Sequence, residues 1–236
     1  MEAALGVLAR RPEAIISIDV VPETRGALAK LLAHAERARV PVRELSGEAM
    51  TRVAGGLHHE GVCLTVRPRP PLSVRALIEL LHAGPGRAAG AGLALDNVGN
   101  PHNLGAILRS AAYFGARALL LSEADGQARL GPAAERVAEG GAEYVAIARA
   151  PTLAPTLAAL HGSGIEIVGA DARAGEPLAG RAFARPCLVV LGNERHGLSA
   201  EVLAVCDRLV AIPGTGAIDS LNVSVAAGIL LAALAR

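Results

Sequence analysis

The chain of 236 residues has no tryptophan, and aromatic residues make up only 2% of it. Stacking of nucleic-acid bases on aromatic rings therefore has little to work with, and the core must be built from Leu, Val, Ile and Ala. Cysteine is also scarce. Cys63, Cys187 and Cys206 are odd in number, widely spaced and set in apolar surroundings, with no Cys-x-x-Cys pair. That pattern argues against a disulfide framework and a zinc site, and it fits buried free thiols in a reducing compartment. Lysine is nearly missing: Lys30 is the only one, so almost all positive charge is arginine. A compositional bias of the source accounts for this, and so does the superiority of Arg as a bidentate phosphate ligand; composition does not decide between them. With a net charge of +1 the protein is not coated in positive charge. No apolar run is long enough to span a bilayer, since the longest uncharged one covers only 223–235. The start, MEAALGVLARRPE, lacks an apolar core followed by a cleavage site. A cytoplasmic protein without membrane or metal partners is expected.

What is present is ample hydrophobic material, 52% of the chain, enough for one large or two small domains. Residues 3–9 suit a short helix, 14–20 a strand, 23–39 a helix and 40–45 a strand; Ser46 caps another short helix, and 62–66 is again a strand. This makes a small, slightly basic α/β unit over residues 1–67. Arg67-Pro68-Arg69-Pro70-Pro71 breaks regular structure. A linker over 68–91 follows, holding a short helix capped by Ser73 and a glycine-rich connector that begins at Gly84. The string GPGRAAG within it follows a helix where a dinucleotide fingerprint requires a strand, so it is discounted. From residue 92 to 236 strands alternate with helices: strands over 93–96, 118–122, 144–148, 166–170, 187–191 and 209–212, helices over 103–114, 132–139 and 152–161. Alternation on this scale predicts a parallel sheet with helices on both faces.

The tail organises the rest. A strand ending at Leu191 runs into Gly192-Asn193-Glu194-Arg195-His196-Gly197, and a strand ending at Ile212 into Pro213-Gly214-Thr215-Gly216-Ala217. Leu198-Ser199 opens an amphipathic helix after the first loop, and Ser220-Leu221-Asn222 starts a second helix after the other. A third loop, Asp96 to Asn100, belongs near the same sheet edge, where ligands of open α/β sheets bind. Free backbone N–H groups at a helix start are donors for a ligand. Asn103 sits where an N-cap would. Gly105 leaves room for a ligand or another backbone, and Arg109 lies on the same face. Each polar candidate also has a plain alternative: Asn103 and Ser220 as caps, Arg109 as a solvated arginine, Glu194 as a surface carboxylate. The last helix has no polar face, so it must be covered all round; Gly228 in it permits another helix to come close, and a second subunit is one way to cover it.

Three stretches in order, DNVGNPHNLGAILRSAAYFGA (96–116), VVLGNERHGLS (189–199) and IPGTGAIDSLNVSVAAGILL (212–231), resemble the motifs of the SpoU, or TrmH-like, RNA ribose methyltransferases of the SPOUT superfamily. The front unit, with His59-Glu60-Gly61-Val62 near its end, is similar to the ribosomal-protein-like RNA-binding domain of many members. The resemblance implies a C-terminal trefoil knot, a homodimer, and S-adenosylmethionine bound in bent form between the knot loops. Carried over by position, it implies cofactor contacts from Gly192, Ile212 and Leu221, chiefly through main chain, with Leu191, Asn193, Ser220 and Asn222 close by. It assigns the functional polar positions to Asn103, Arg109, Glu194, Ser220 and Asn222. Two places depart from the pattern: Arg195-His196 fills a variable stretch, and Gly214 stands where a bulkier residue is common.

The implied activity is methyl transfer to a ribose 2′-hydroxyl of a structured RNA. Arg109 stays protonated in proteins, which suits stabilising a developing alkoxide or orienting a phosphate rather than acting as a base. Glu194 and Asn222 would hold the ribose or Arg109 in place. The front unit tilts the expected substrate towards rRNA over tRNA, with Arg10, Arg11, Arg52 and His58 as candidate RNA contacts. A non-catalytic RNA-binding or assembly factor retaining the fold is the alternative.

Overall fold

A computed structural model of the chain describes residues 1–83, 90–178, 183 and 186–235. It divides into two units, Met1–Pro70 and Pro71–Arg236.

The first unit is a three-stranded sheet with helices. In chain order it comprises α1 (Glu2–Arg10), β1 (Ile15–Val20), α2 (Ala29–Ala38), β2 (Val42–Glu44), α3 (Gly47–Ala54) and β3 (Val62–Val66). β1 is central, parallel to β2 and antiparallel to β3. Apolar residues at helical spacing on α1 and α2, among them Ala4, Val7, Leu31 and Ala35, bury against Ile15, Ile18 and Val20 of β1. Asp19 is buried on the other side of β1, and its carboxylate accepts two hydrogen bonds from the Arg43 guanidinium, at 2.6 and 2.9 Å. A buried charge persists when it is held in such a bidentate pair. The expected helix over 23–39 begins only at Ala29, because Pro22 and Gly26 confine the preceding residues to a 3₁₀ turn and bends.

The second unit holds a seven-stranded, wholly parallel sheet. Its elements are α4 (Val74–His82), β4 (Ala91–Leu95), α5 (Pro101–Phe114), β5 (Ala118–Ser122), α6 (Pro132–Ala138), β6 (Ala146–Ala150), α7 (Leu153–His161), β7 (Glu166–Ala170), β8 (Glu176–Pro177), β9 (Cys187–Leu191), α8 (Ala200–Leu203), β10 (Arg208–Ala211) and α9 (Val223–Leu234). The strand order is β6-β5-β4-β9-β7-β10-β8. Period-two alternation sorts the strand side chains between two cores. Leu93, Leu95, Leu119, Leu121, Val189 and Leu191 face α5, α6 and α9, while Ala94, Leu120, Leu188 and Val190 face α4, α7 and α8. Strands buried on both faces read as unbroken apolar runs, as these do.

Several expectations shift here. The helix assigned to the linker packs Leu77 and Leu81 into the second unit's core. The connector residues 84–89 lie outside the described residues. The strand expected over 144–148 moves to Ala146–Ala150, since a 3₁₀ turn at Gly141–Glu143 delays it. The helix after Ser199 has only four residues. Gly105 serves a neighbouring backbone rather than a ligand: a Cβ there would strike the Ala134 carbonyl and lie 2.7 Å from Val137 Cβ, so α6 crosses α5 at this glycine. Gly228 is not needed for close approach within the chain, as a Cβ there would meet only Ser110 Oγ, at 3.9 Å.

Candidate functional site

The carboxyl ends of β4, β9 and β10 carry three loops, and each contributes to one polar cluster. After β4, Asp96 is buried and accepts a 2.7 Å hydrogen bond from the Ser199 N–H. Asn97 takes the left-handed conformation (φ 58°), which Asn tolerates better than most residues. Its carbonyl accepts from Asn193 Nδ2 at 2.9 Å. The loop after β9 is thus tied at both ends to the loop after β4.

Asn193 does more than bridge. Its Oδ1 accepts from the backbone N–H of Arg195 and His196, at 2.8 and 3.3 Å, and its backbone closes a two-way bridge with Gly197. This tight turn explains Gly192, where a Cβ would collide with the Gly197 and Leu198 backbone. The fold of the loop, and not a ligand alone, requires glycine there. Glu194 is held at the turn's exposed tip.

Asn103 does not cap α5. The cap is Asn100, whose side chain accepts from the His102 N–H at 2.9 Å, with Pro101 in the first helical position. Proline just inside a helix start was the signal available in the sequence. Asn103, freed from capping, reaches across two loops. Its Nδ2 donates to Glu194 Oε1, and its Oδ1 accepts from Asn222 Nδ2 at 3.1 Å.

The cap of α9 is Asn222 rather than Ser220. Asn222 Oδ1 accepts from the Ser224 N–H at 2.9 Å and from Ser224 Oγ at 2.6 Å. Ser220 lies two residues before this cap and is exposed. Glu194, Asn103, Asn222 and Ser224 therefore form one continuous chain of hydrogen bonds.

Beside it, the segment from Pro213 to Leu221 is exposed, apart from the stretch's entry at partly buried Ile212. Among the described residues it makes no backbone–backbone hydrogen bond. A run of solvent-facing main chain without backbone partners, its Ala217 N–H bonded only to Thr215 Oγ1 at 3.4 Å, fits a ligand with a heteroaromatic edge held mainly by backbone.

Arg109 stands apart from this cluster. Six residues beyond Asn103, it is displaced by about 9 Å along α5 and turned well away from it. Its Nη1 pairs with Glu139 Oε1 at 2.6 Å, both side chains being about half exposed. Gly141 lets this region pack on α5, a Cβ there lying 2.9 Å from the Arg109 Cα. Glu139 carried no sequence signal, because its position depends on its left-handed backbone at the end of α6.

In the first unit Arg11 donates to the Arg67 carbonyl at 2.6 Å, Arg10 ends α1, and Arg52 and His58 are exposed. Among the described residues no group of His, Cys, Asp and Glu is placed to hold a metal ion, and no helix is long and apolar enough to cross a membrane.

Residues 91–232 match the model of the SpoU rRNA Methylase family, and residues 3–72 that described as RNA 2′-O ribose methyltransferase substrate binding. The chain is 39% identical over 207 residues to the 23S rRNA (guanosine-2′-O-)-methyltransferase RlmB of Acinetobacter baylyi, covering 86% of this chain and 82% of that protein. It is 33% identical over 232 residues to the same-named protein of Photobacterium profundum, covering 98% and 93%. Among solved structures, the SpoU methyltransferase AviRb of Streptomyces viridochromogenes in complex with AdoMet superposes with a TM-score of 0.78 over 100% of this chain and 87% of that one. At 22% identity this likeness speaks for the fold alone.

Proposed function

Because the chain belongs to the SpoU rRNA Methylase family, we propose that it is an S-adenosylmethionine-dependent enzyme that methylates a ribose 2′-hydroxyl, with a guanosine of 23S rRNA as the substrate class. The observation that carries this reading is the hydrogen-bonded chain Glu194–Asn103–Asn222, which joins the loops of all three motifs beside an exposed segment that makes no backbone–backbone hydrogen bond among the described residues. The RlmB names of relatives at 39% and 33% identity support rRNA over tRNA.

The residues fit the cofactor. Main-chain groups of Gly192, Ile212 and Leu221 would hold it, with Leu191, Asn193, Ser220 and Asn222 close by. When bound, S-adenosylmethionine supplies an electrophilic methyl on a sulfonium, and no general acid is needed for the departing thioether. The protein's task is the other partner, the sugar oxygen. Asn103 fixes the Glu194 carboxylate and the Asn222 amide relative to each other, so both are pre-positioned for a ribose; such positioning supplies a large share of rate. The Arg109 guanidinium would meet the developing alkoxide or the neighbouring phosphate, which requires it to exchange its Glu139 partner for RNA, while the proton given up by the 2′-hydroxyl would pass to solvent water.

The same reading includes a homodimer, a cytoplasmic location, a knotted C-terminal segment, and a front unit of the ribosomal-protein type. One side of α9 supports the dimer: Val225 and Ile229 are 50% and 38% exposed, although the helix is apolar from Val225 to its end. The strand order supports the knot, since β10 lies between β7 and β8, whose connecting segment is only a few residues long. Knots are rare in general.

The test is transfer of labelled methyl from S-adenosylmethionine to unmodified 23S rRNA, with the product mapped by its resistance to alkaline cleavage. A ribose methyl is expected. A methyl on a base would overturn the ribose assignment, and RNA binding without any transfer would favour the assembly-factor reading.

A further inference from the structure

The first unit holds a cavity of about 450 Å³ that the site above does not use, lined by Leu8, Pro12, Lys30, Ala33, His34 and Arg37. Four of these come from α2. Lys30, Ala33, His34 and Arg37 follow the i, i+3, i+4, i+7 spacing that puts side chains along one helix face, while Leu31 and Ala35 turn into the core. Leu8 near the end of α1 and Pro12 just beyond it form the apolar side. The cavity is therefore a basic stripe facing an apolar rim, and no acidic side chain lines it.

A second observation points to a ligand. His34 Nε2 is enclosed and, among the described residues, has no hydrogen-bond partner. Native proteins leave few buried polar atoms in that state, and each one calls for an explanation. The charges on either side of it are also uncommitted: among the described residues Lys30 and Arg37 make no ion pair, whereas Arg25 and Arg43 of the same unit are matched with Glu44 and Asp19.

We propose that this groove binds the RNA backbone, with Lys30, His34 and Arg37 holding phosphodiester oxygens and Leu8, Pro12 and Ala33 receiving the adjoining sugar or base edge. From Lys30 to Arg37 the stripe runs about 10 Å along the helix, so it can follow a strand rather than grip a single ion. A protein with so few aromatic residues cannot rely on base stacking and must draw affinity from phosphate contacts. The inference rests on the reading of the protein as an RNA methyltransferase and adds a substrate-holding groove on the first unit.

The experiment is filter binding of full-length protein to unmodified 23S rRNA transcript across a salt series, with methyl transfer measured in parallel. The double variant Lys30→Ala/Arg37→Ala is expected to bind at least ten-fold more weakly and to lower the slope of log K against log salt by about 1 to 2. The swapped variant Lys30→Arg/Arg37→Lys should keep the wild-type slope, which separates lost charge from misfolding. His34→Leu should weaken binding and His34→Gln less so. Wild-type affinity and slope in the double variant would overturn the groove alone, provided wild-type protein still transfers methyl. Wild-type protein that binds RNA through Lys30 and Arg37 but transfers nothing would overturn the parent reading and leave the groove standing. Binding of a labelled acidic peptide that the double substitution abolishes, with RNA binding unchanged, would assign the groove to a protein partner and overturn the proposal.

Discussion

At the scale of single residues, one ion pair decides how the proposed site works. Arg109 is paired with Glu139 across a half-exposed surface, and exposed pairs contribute only about 0–1 kcal/mol. Arg109→Ala should therefore collapse methyl transfer while leaving S-adenosylmethionine affinity, read by calorimetry, nearly unchanged. Glu139→Ala should retain transfer within a few-fold and shift the melting temperature little. Equal loss of activity in both variants would make the ion pair structural and remove Arg109 from the chemistry. Cys206 gives a prediction about pH. Burial, with the charges of Asp207 and Asp96, raises its thiol from about 9 to about 11. Above pH 9 the unfolded chain releases a proton that the folded chain keeps, so stability falls as pH climbs towards 11. Thermal melts across that window should show the fall, and Cys206→Ala should flatten it.

Among elements, α5 is the one on which the site depends. It supplies Asn103 at its first turn, Arg109 further along, and the apolar stripe Leu104, Ile107, Leu108 and Ala111 that seats it on the sheet. Its distance from α6 is fixed at Gly105 by the Ala134 carbonyl. Gly105→Ala should then force the two helices apart, costing about 1–3 kcal/mol in urea unfolding and displacing Asn103 enough to cut transfer by roughly 10²-fold. An alanine variant of unchanged stability would mean that α6 moves aside freely. The same close approach shows how far local reading reaches. A lone glycine in a helix announced that something comes near, but which backbone it was depended on where α6 lay.

At the scale of the whole molecule, α9 buries one side against α5 and the sheet and leaves Val225 and Ile229 open. If a second copy covers them, Val225→Asp/Ile229→Asp should convert dimer to monomer in sedimentation velocity, with circular dichroism unchanged; a wild-type monomer at micromolar concentration would refute the dimer. Most strands and helices were legible in the sequence, because apolar alternation, Ser46, Ser73 and the glycine and proline breaks are local signals read within a few residues. The loops gathered at the sheet edge were legible too, since alternating strands and helices force parallel order. What the sequence could not set was the job of each side chain. Asn100 and Asn222, not Asn103 and Ser220, cap their helices, and Asp96 and Asn97 tie the loop that carries Glu194. The caps are local, and Pro101 signalled the first of them, but the cross-loop hydrogen bonds depend on ångström-scale placement of segments some 90 to 120 residues apart in the chain. Only the packed sheet, which brings β4, β9 and β10 to a common edge, could decide them.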